Sequence, residues 1–157
     1  MIRRAQAGDL KNIQELFVDT IMSICSVDYT PEQIIAWTSS VHNTSRWLDK
    51  INQQYFLVYT DHQQILGFGS LENGTYIDMF YTHNLHQGRG IGKQLYQALE
   101  TKALDVLPNQ FPLILSAHVS LTALSFFSGR GFKVEQEHTV RIDGIELINY
   151  LMNKTLN

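Results

Sequence analysis

The chain has one cysteine, three prolines and no run of lysine and arginine. A lone thiol, Cys25, can close no internal disulfide, which excludes a disulfide-stapled secreted fold and makes a cytoplasmic location the expectation. Without a basic run, and with a formal net charge of -3, the chain offers no field to hold a nucleic-acid backbone, so nucleic acid is not an expected partner. No apolar stretch reaches membrane-spanning length, and Met1 to Asp9 lacks the apolar centre of a signal peptide; no membrane association is expected. Low-complexity and repeated segments are also missing, so residues 1–157 read as one domain without a linker. What is present is an ordinary globular composition, 44% apolar and 17% charged, with enough residues to bury about 70% of the unfolded surface in a single core.

Hydrophobic spacing orders the chain. Ile2 to Ala5 reads as a short strand, and Asp9 as the N-cap of a helix carrying Leu10, Ile13, Leu16, Phe17, Ile21 and Ile24 and ending near Cys25. Thr30-Pro31-Glu32-Gln33 combines a cap, proline at the first helical position and a capping-box glutamine, and starts a second helix with Ile34, Ile35 and Trp37. Ser45 to Ile51 reads as another short helical piece. Tyr55 to Thr60, Ile65 to Leu71 and Thr75 to Thr82 are β-rich runs separated by Asp61-His62-Gln63-Gln64 and by Asn73-Gly74, which predicts a three-stranded antiparallel meander. Ile91, Leu95, Leu99 and Val106 make a helical stripe stopped by Pro108. Phe111 to Val119 then reads as a strand, Ser120 as the cap of a helix through Ser128 that breaks at Gly131, and Phe132 to Ile142 with Ile145 to Asn153 as a hairpin around Asp143-Gly144.

Between the third meander strand and the long helix lies Gln87-Gly88-Arg89-Gly90-Ile91-Gly92. Glycines here let the backbone bend and leave main-chain N–H groups uncovered, and the helix that follows adds its unpaired N–H groups and positive dipole end. That arrangement suits a diphosphate. A P-loop would need a glycine at position 87 and Ser or Thr at 94, where the chain has Gln87 and Gln94; a dinucleotide fingerprint begun at Gly88 would need glycine where Lys93 stands. On the loop alone, a plain glycine-rich strand-to-helix turn stays open.

The stretch resembles the Gln/Arg-x-x-Gly-x-Gly/Ala signature of the GCN5-related N-acetyltransferases (GNAT), with Gln87, Gly90 and Gly92 in the signature positions and Ile77-Asp78-Met79-Phe80-Tyr81-Thr82-His83-Asn84 similar to the strand before it. Ala123 to Phe132 resembles the family's Ala-x-x-Phe-Tyr-x-x-x-Gly-Phe segment. The order βααβββαβαββ also resembles the family layout, which implies an α/β fold with a mixed, mostly antiparallel sheet of about seven strands flanked by helices. It further implies acetyl-CoA as co-substrate, direct transfer to a primary amine of a small molecule or peptide, and room for a homodimer.

By this resemblance, main-chain groups of Phe80, Tyr81 and Thr82 meet the pantetheine arm and the Phe80 N–H faces the thioester oxygen. Gln87, Gly88, Arg89, Gly90, Ile91, Gly92 and Lys93 surround the diphosphate, Ser120 stands where many members have asparagine, and Phe127 stands where many have the tyrosine that protonates the departing thiolate. Phenylalanine has no proton to give, so the leaving thiolate is protonated by water, by a neighbour such as Tyr81 or Tyr96, or not at all. Asp78, an acid inside an apolar strand and on the face of Tyr76 and Phe80, is the candidate general base. Tyr29, Trp37, Trp47 and His138 are candidate acceptor-lining residues, and His118 is counted with them because it lies near the opening, although a histidine on such a strand is more often a core residue than a base. His83 and His86 have no carboxylate at ligand spacing, so no metal is expected; Cys25, distant from the loop in sequence, gives little support to an acetyl-cysteine route. The departure at Phe127 keeps a catalytically silent acyl-CoA-binding module in view, and the scaffold could also serve as a cofactor-free interaction domain.

Overall fold

Three tight turns and one parallel pairing set the architecture of the computed structural model, which describes residues 1–83, 86 and 88–157. At His62-Gln63, Asn73-Gly74 and Asp143-Gly144 two successive residues take positive φ, the twist that returns a strand antiparallel onto itself. They join β2 (Tyr55–Asp61) to β3 (Gln64–Glu72), β3 to β4 (Tyr76–Thr82), and β6 (Lys133–Ile142) to β7 (Ile145–Leu156). With β1 (Ile2–Arg4) and β5 (Leu113–Ser120) they form a sheet in the order β1-β2-β3-β4-β5-β7-β6. Only β4 and β5 pair in parallel, and the crossover between them is α4 (Ile91–Val106).

Helices cover both faces. α1 (Leu10–Ile24) buries Ile13, Leu16, Phe17, Thr20 and Ile21, the i, i+3, i+4 stripe of an amphipathic helix. Together with α2 (Pro31–Thr38) and α3 (Thr44–Gln53) it packs on the sheet face that presents Phe56, Val58, Phe68 and Tyr81. α4 covers the opposite face through Leu95, Leu99 and Ala103, against Leu57, Leu71, Leu115 and Met152. α5 (Leu124–Ser128) closes one end of that layer with Phe127.

Several sequence expectations change in detail. Asp9 is not a side-chain N-cap: it ends a 3-10 turn, Ala7–Asp9, and its carboxylate accepts from the Gln6 N–H at 2.8 Å while pairing with Arg3 at 2.8 Å. Ile35 is 70% exposed because α2 buries only the Ile34 and Ala36 side. The helical piece at 45–51 is a full helix, begun by Asn43, whose side chain accepts from the Arg46 N–H. The fifth strand begins at Leu113; Phe111 lies before it, 54% exposed. The capping box at Thr30 and Gln33 is present with both hydrogen bonds, and Ser120 caps the turn before α5.

Candidate active site

β4 and β5 pair at only two positions, Tyr76 with Ser116 and Ile77 with Ala117, and then separate. The reason lies in β4. Its ladder to β3 runs Leu71 with Ile77 and then Ser70 with Met79, so Asp78 is an extra residue bulged out of register. A bulge bends and twists the strand that carries it, and here it turns the end of β4 away from β5. Beyond the last pair a cavity of about 480 Å³ opens between Asp78–Thr82 on one side and His118–Ser120 on the other.

The bulge also reassigns the faces. Ile77 and Phe80 both point to the α4 layer, where the Phe80 ring lies 5.2 Å from Phe126 and 5.6 Å from Phe127, while Met79 and Tyr81 join the α1–α3 layer. Phe80 therefore does not share a face with Asp78, contrary to the strict alternation read from sequence, because the extra residue shifts the period by one. The ladder fixes the main chain as well. His83 N–H donates to Leu66 O at 2.7 Å, so in this antiparallel pair alternate residues turn their amides to β3, and Phe80 and Thr82 turn theirs to the opening. The Phe80 N–H thus faces the cavity. Tyr81 pairs with Phe68 of β3 and lines the cavity; the Thr82 carbonyl accepts from Thr20 Oγ1 at 3.0 Å.

At one end of the cavity the chain enters α4 through Gly88 and Gly90, with φ of +80° and +79°. A Cβ built on either would meet nothing within 4 Å, so this bend presents an open, concave run of main chain. Gly90 is the residue before α4, and the N–H groups of Ile91, Gly92 and Lys93, which have no partner within the helix, point outward at its positive end. Ile91, Gly92 and Lys93 line the cavity; Arg89 instead donates toward His86 Nδ1 at 3.0 Å. Gln87 lies outside the described residues. Arg130 lies 3.9 Å over the Phe126 ring at the same cavity, its Nε buried without a partner among the described residues.

A second cavity of about 320 Å³ lies on the other face of the sheet, walled by Phe17, Tyr29, Trp37, Trp47 and Tyr81 with Arg46 at its edge. Tyr29, Trp37 and His118, read as acceptor-lining residues, all line it; His138 instead touches the His118 ring, at 5.2 Å between centroids. Trp47 also belongs to the core, 2% exposed, with its indole N–H donating to Ser40 O. Tyr29 ties elements together, its hydroxyl accepting from Leu121 N–H and donating to Ile148 O, and burial raises its pKa.

Asp78 stands where the two cavities meet. Its carboxylate is gripped by the Lys50 ammonium and accepts from Gln54 Nε2 at 2.9 Å, both from the end of α3. His118 is an exposed groove residue, not a core one, because β5 is covered by helices on its other face only; its Nδ1 lies 2.8 Å from Tyr76 Oη. Desolvation in the groove, then His138, hold its pKa below the ordinary value. Lys50 and Gln54 carry no signal in the sequence, because nothing local links α3 to β4; Tyr76, read only as sharing a face with Asp78, gains its place in the site from the contact with His118.

Ser120 lines the cavity but its Oγ is used to accept from Ala123 N–H, and Phe127 is 3% exposed against Phe80, Phe126 and Phe132. Tyr96 is no candidate acid: it lies outside the cavity, its hydroxyl held by Glu100 and Lys154 in the α4 layer. Tyr81 does reach the site, and burial pushes its pKa up. Cys25, distant in sequence, lines the larger cavity after all; its thiol is buried and pushed up in pKa, which disfavours the thiolate a nucleophile needs. Among the described residues no group of three or more His, Cys, Asp and Glu could hold a metal, and no helix is long and apolar enough to cross a membrane.

Comparison with known proteins follows this geometry. A family model described as an acetyltransferase (GNAT) domain matches residues 25–154. An uncharacterised N-acetyltransferase, YafP, of Escherichia coli K12 is 28% identical over 152 residues, covering 96% of this chain and 93% of its own. The crystal structure of a GCN5-related N-acetyltransferase from Rhodopseudomonas palustris has a TM-score of 0.93 at 33% identity, over 99% of this chain and 95% of that one. The PaiA N-acetyltransferase of Thermoplasma acidophilum, solved with coenzyme A, shares the fold at 19% identity with a TM-score of 0.79, over 99% and 98% of the two chains.

Proposed function

Because the chain belongs to the GNAT acetyltransferase family, we propose that it moves the acetyl group of acetyl-CoA directly to a primary amine of a small molecule or peptide, both reactants being bound at once. The observation that carries this reading is the parting of β4 and β5 after two paired residues, with an open glycine bend and helix N-terminus at one end of the gap and a second cavity behind Asp78 at the other.

In this reading the diphosphate lies on the main-chain N–H groups from Gly88 to Lys93, with the Lys93 ammonium nearby, since a helix start stabilises an anion by both hydrogen bonds and dipole. The pantetheine arm continues the sheet along β4 where it parts from β5. Its thioester oxygen meets the Phe80 N–H, a donor placed where negative charge develops as the amine attacks; loss of one such donor costs about 10²–10³ in rate. Phe126 and Phe127 wall the arm, and Ser120 keeps the turn beside it in place. The acceptor enters the 320 Å³ cavity, a volume suited to a small molecule or a terminal residue of a peptide. Asp78 faces it as an anion that can hold or deprotonate the incoming ammonium. Tyr81, which lines the cavity and is kept protonated by burial, is the group this reading assigns to give a proton to the leaving sulfur.

The test is release of the CoA thiol from acetyl-CoA across diverse alkylamines, amino acids, short peptides and aminoglycosides, with mass spectrometry of the acetylated product. Turnover with one class supports the reading. The chemistry of Phe127 favours one alternative, a silent acyl-CoA-binding module, and tight CoA binding with no turnover on any amine would select it. An unchanged melting temperature in excess CoA would point to the interaction domain instead, because a ligand held only by the folded chain must stabilise it.

A further inference from the structure

The reacting amine and thioester must meet where the two cavities join. Trp37, Asp78, Tyr81, His118 and Ser120 line both cavities, and of these Asp78 and His118 carry the carboxylate and the imidazole that can serve as a base. Asp78 already holds the Lys50 ammonium and the Gln54 amide through one oxygen. Among the described residues the His118 ring hydrogen-bonds through Nδ1, 2.8 Å from Tyr76 Oη, which makes Nε2 the nitrogen to assign to the acceptor. Resting on the acetyltransferase reading, we propose that His118 Nε2 takes the proton from the acceptor ammonium, with Tyr76 as the positioning residue that accepts the Nδ1 proton and so fixes the lone pair on Nε2.

Tyr76 from β4 and His138 from β6 lie against the His118 ring; Asp78 from β4, Arg46 and Lys50 from α3 and Tyr29 before α2 line the same cavity, and β7 contributes Asn149 and Leu151, which do not titrate. Groove desolvation and the neighbouring His138 both disfavour the imidazolium, so the ring is a neutral base at physiological pH. The reaction balances without another reagent. One ammonium proton passes to Nε2 and later to solvent; the amine nitrogen bonds to the carbonyl carbon as the carbon–sulfur bond breaks; the nitrogen's surplus proton ends on the CoA sulfur. Asp78, in this scheme, holds the ammonium in place before it is deprotonated.

Two measurements test the assignment. In the wild-type protein, nitrogen-15 NMR of the imidazole near neutral pH should show Nδ1 protonated and Nε2 bare, and Tyr76→Phe should shift that balance; a ring protonated on Nε2 overturns the proposal whether or not an acceptor has been found. With an amine from the panel, His118→Gln should lower kcat/KM by about 10²–10³, the typical worth of a general base, and remove an acid limb whose midpoint lies below that of free imidazole. Asp78→Asn should keep that limb and mainly raise the acceptor KM. His118→Gln activity within about threefold of wild type with the limb retained, or loss of the limb in Asp78→Asn, overturns His118 as the base while leaving the acetyltransferase reading intact. No turnover by wild type on any amine overturns both. Because His118 is exposed, the variant should melt with the wild type, and His118→Asn serves if it does not.

Discussion

Gly90→Ala separates the two jobs assigned to the glycine bend. A methyl at this position meets no atom within 4 Å, so packing contributes nothing to its cost. The backbone does: φ is +79°, and a left-handed alanine costs roughly 1–2 kcal/mol. For a chain of this length that corresponds to a fall in Tm of about 2–8 °C. Binding should suffer more. The same methyl projects into the concave space where the diphosphate is proposed to lie, and displacing it from one charge-assisted hydrogen bond costs about 1.5–3 kcal/mol, or roughly 10- to 100-fold in Kd. Differential scanning fluorimetry without ligand gives the first number and calorimetric titration with CoA the second. Gly92→Ala is the contrast: its φ is not in the left-handed region, but its Cβ would stand 3.0 Å from the Phe126 ring, so its effect runs through that wall and not through backbone strain. A Gly90→Ala protein that melts lower as expected but binds CoA within twofold of wild type would refute the placement of the diphosphate.

The ion pair at the junction of the cavities gives a second expectation. Lys50→Met leaves the Asp78 side chain, 16% exposed, without its cation and should cost about 1–3 kcal/mol in urea unfolding, much of it recovered in the double variant with Asp78→Asn. Phe127→Ala, which removes a ring 3% exposed among three other phenylalanines, should cost about 3–5 kcal/mol and weaken CoA binding; an effect below about 1 kcal/mol would contradict the packing described. Asp9→Asn should lose about 1 kcal/mol at neutral pH. The hydrogen bond and charge of Arg3 hold the Asp9 pKa below its ordinary value, so this stability exists above the unfolded carboxylate's pKa and is lost as pH falls through the folded one. Wild type and variant should therefore converge in acid, and a gap that widens there would reverse the assigned sign.

Local chemistry made much of the fold legible. Thr30 with Gln33, Ser120, and Asp143-Gly144 each act through neighbours in sequence, and each does in the structure what its residue type implies. What was hidden is non-local. The bulge at Asp78 depends on β3 pairing around it, and its extra residue turns Phe80 to the opposite face. The Lys50–Asp78 contact joins residues 28 positions apart, the Tyr76–His118 contact 42, and Cys25 reaches the cavity only because α1 lies across the end of β4. The glycine bend was readable as a diphosphate site because its function is main-chain geometry, which glycine spacing reports directly; the acceptor cavity is built from side chains of many elements and has no such signature.

The most direct measurement is a crystal structure with acetyl-CoA bound. The account predicts the diphosphate on the amides of residues 88–93 and the thioester oxygen within hydrogen-bond distance of the Phe80 N–H, between the parted strands. Acetyl-CoA lying elsewhere, or a thioester turned away from Phe80 while the diphosphate is in place, would contradict it.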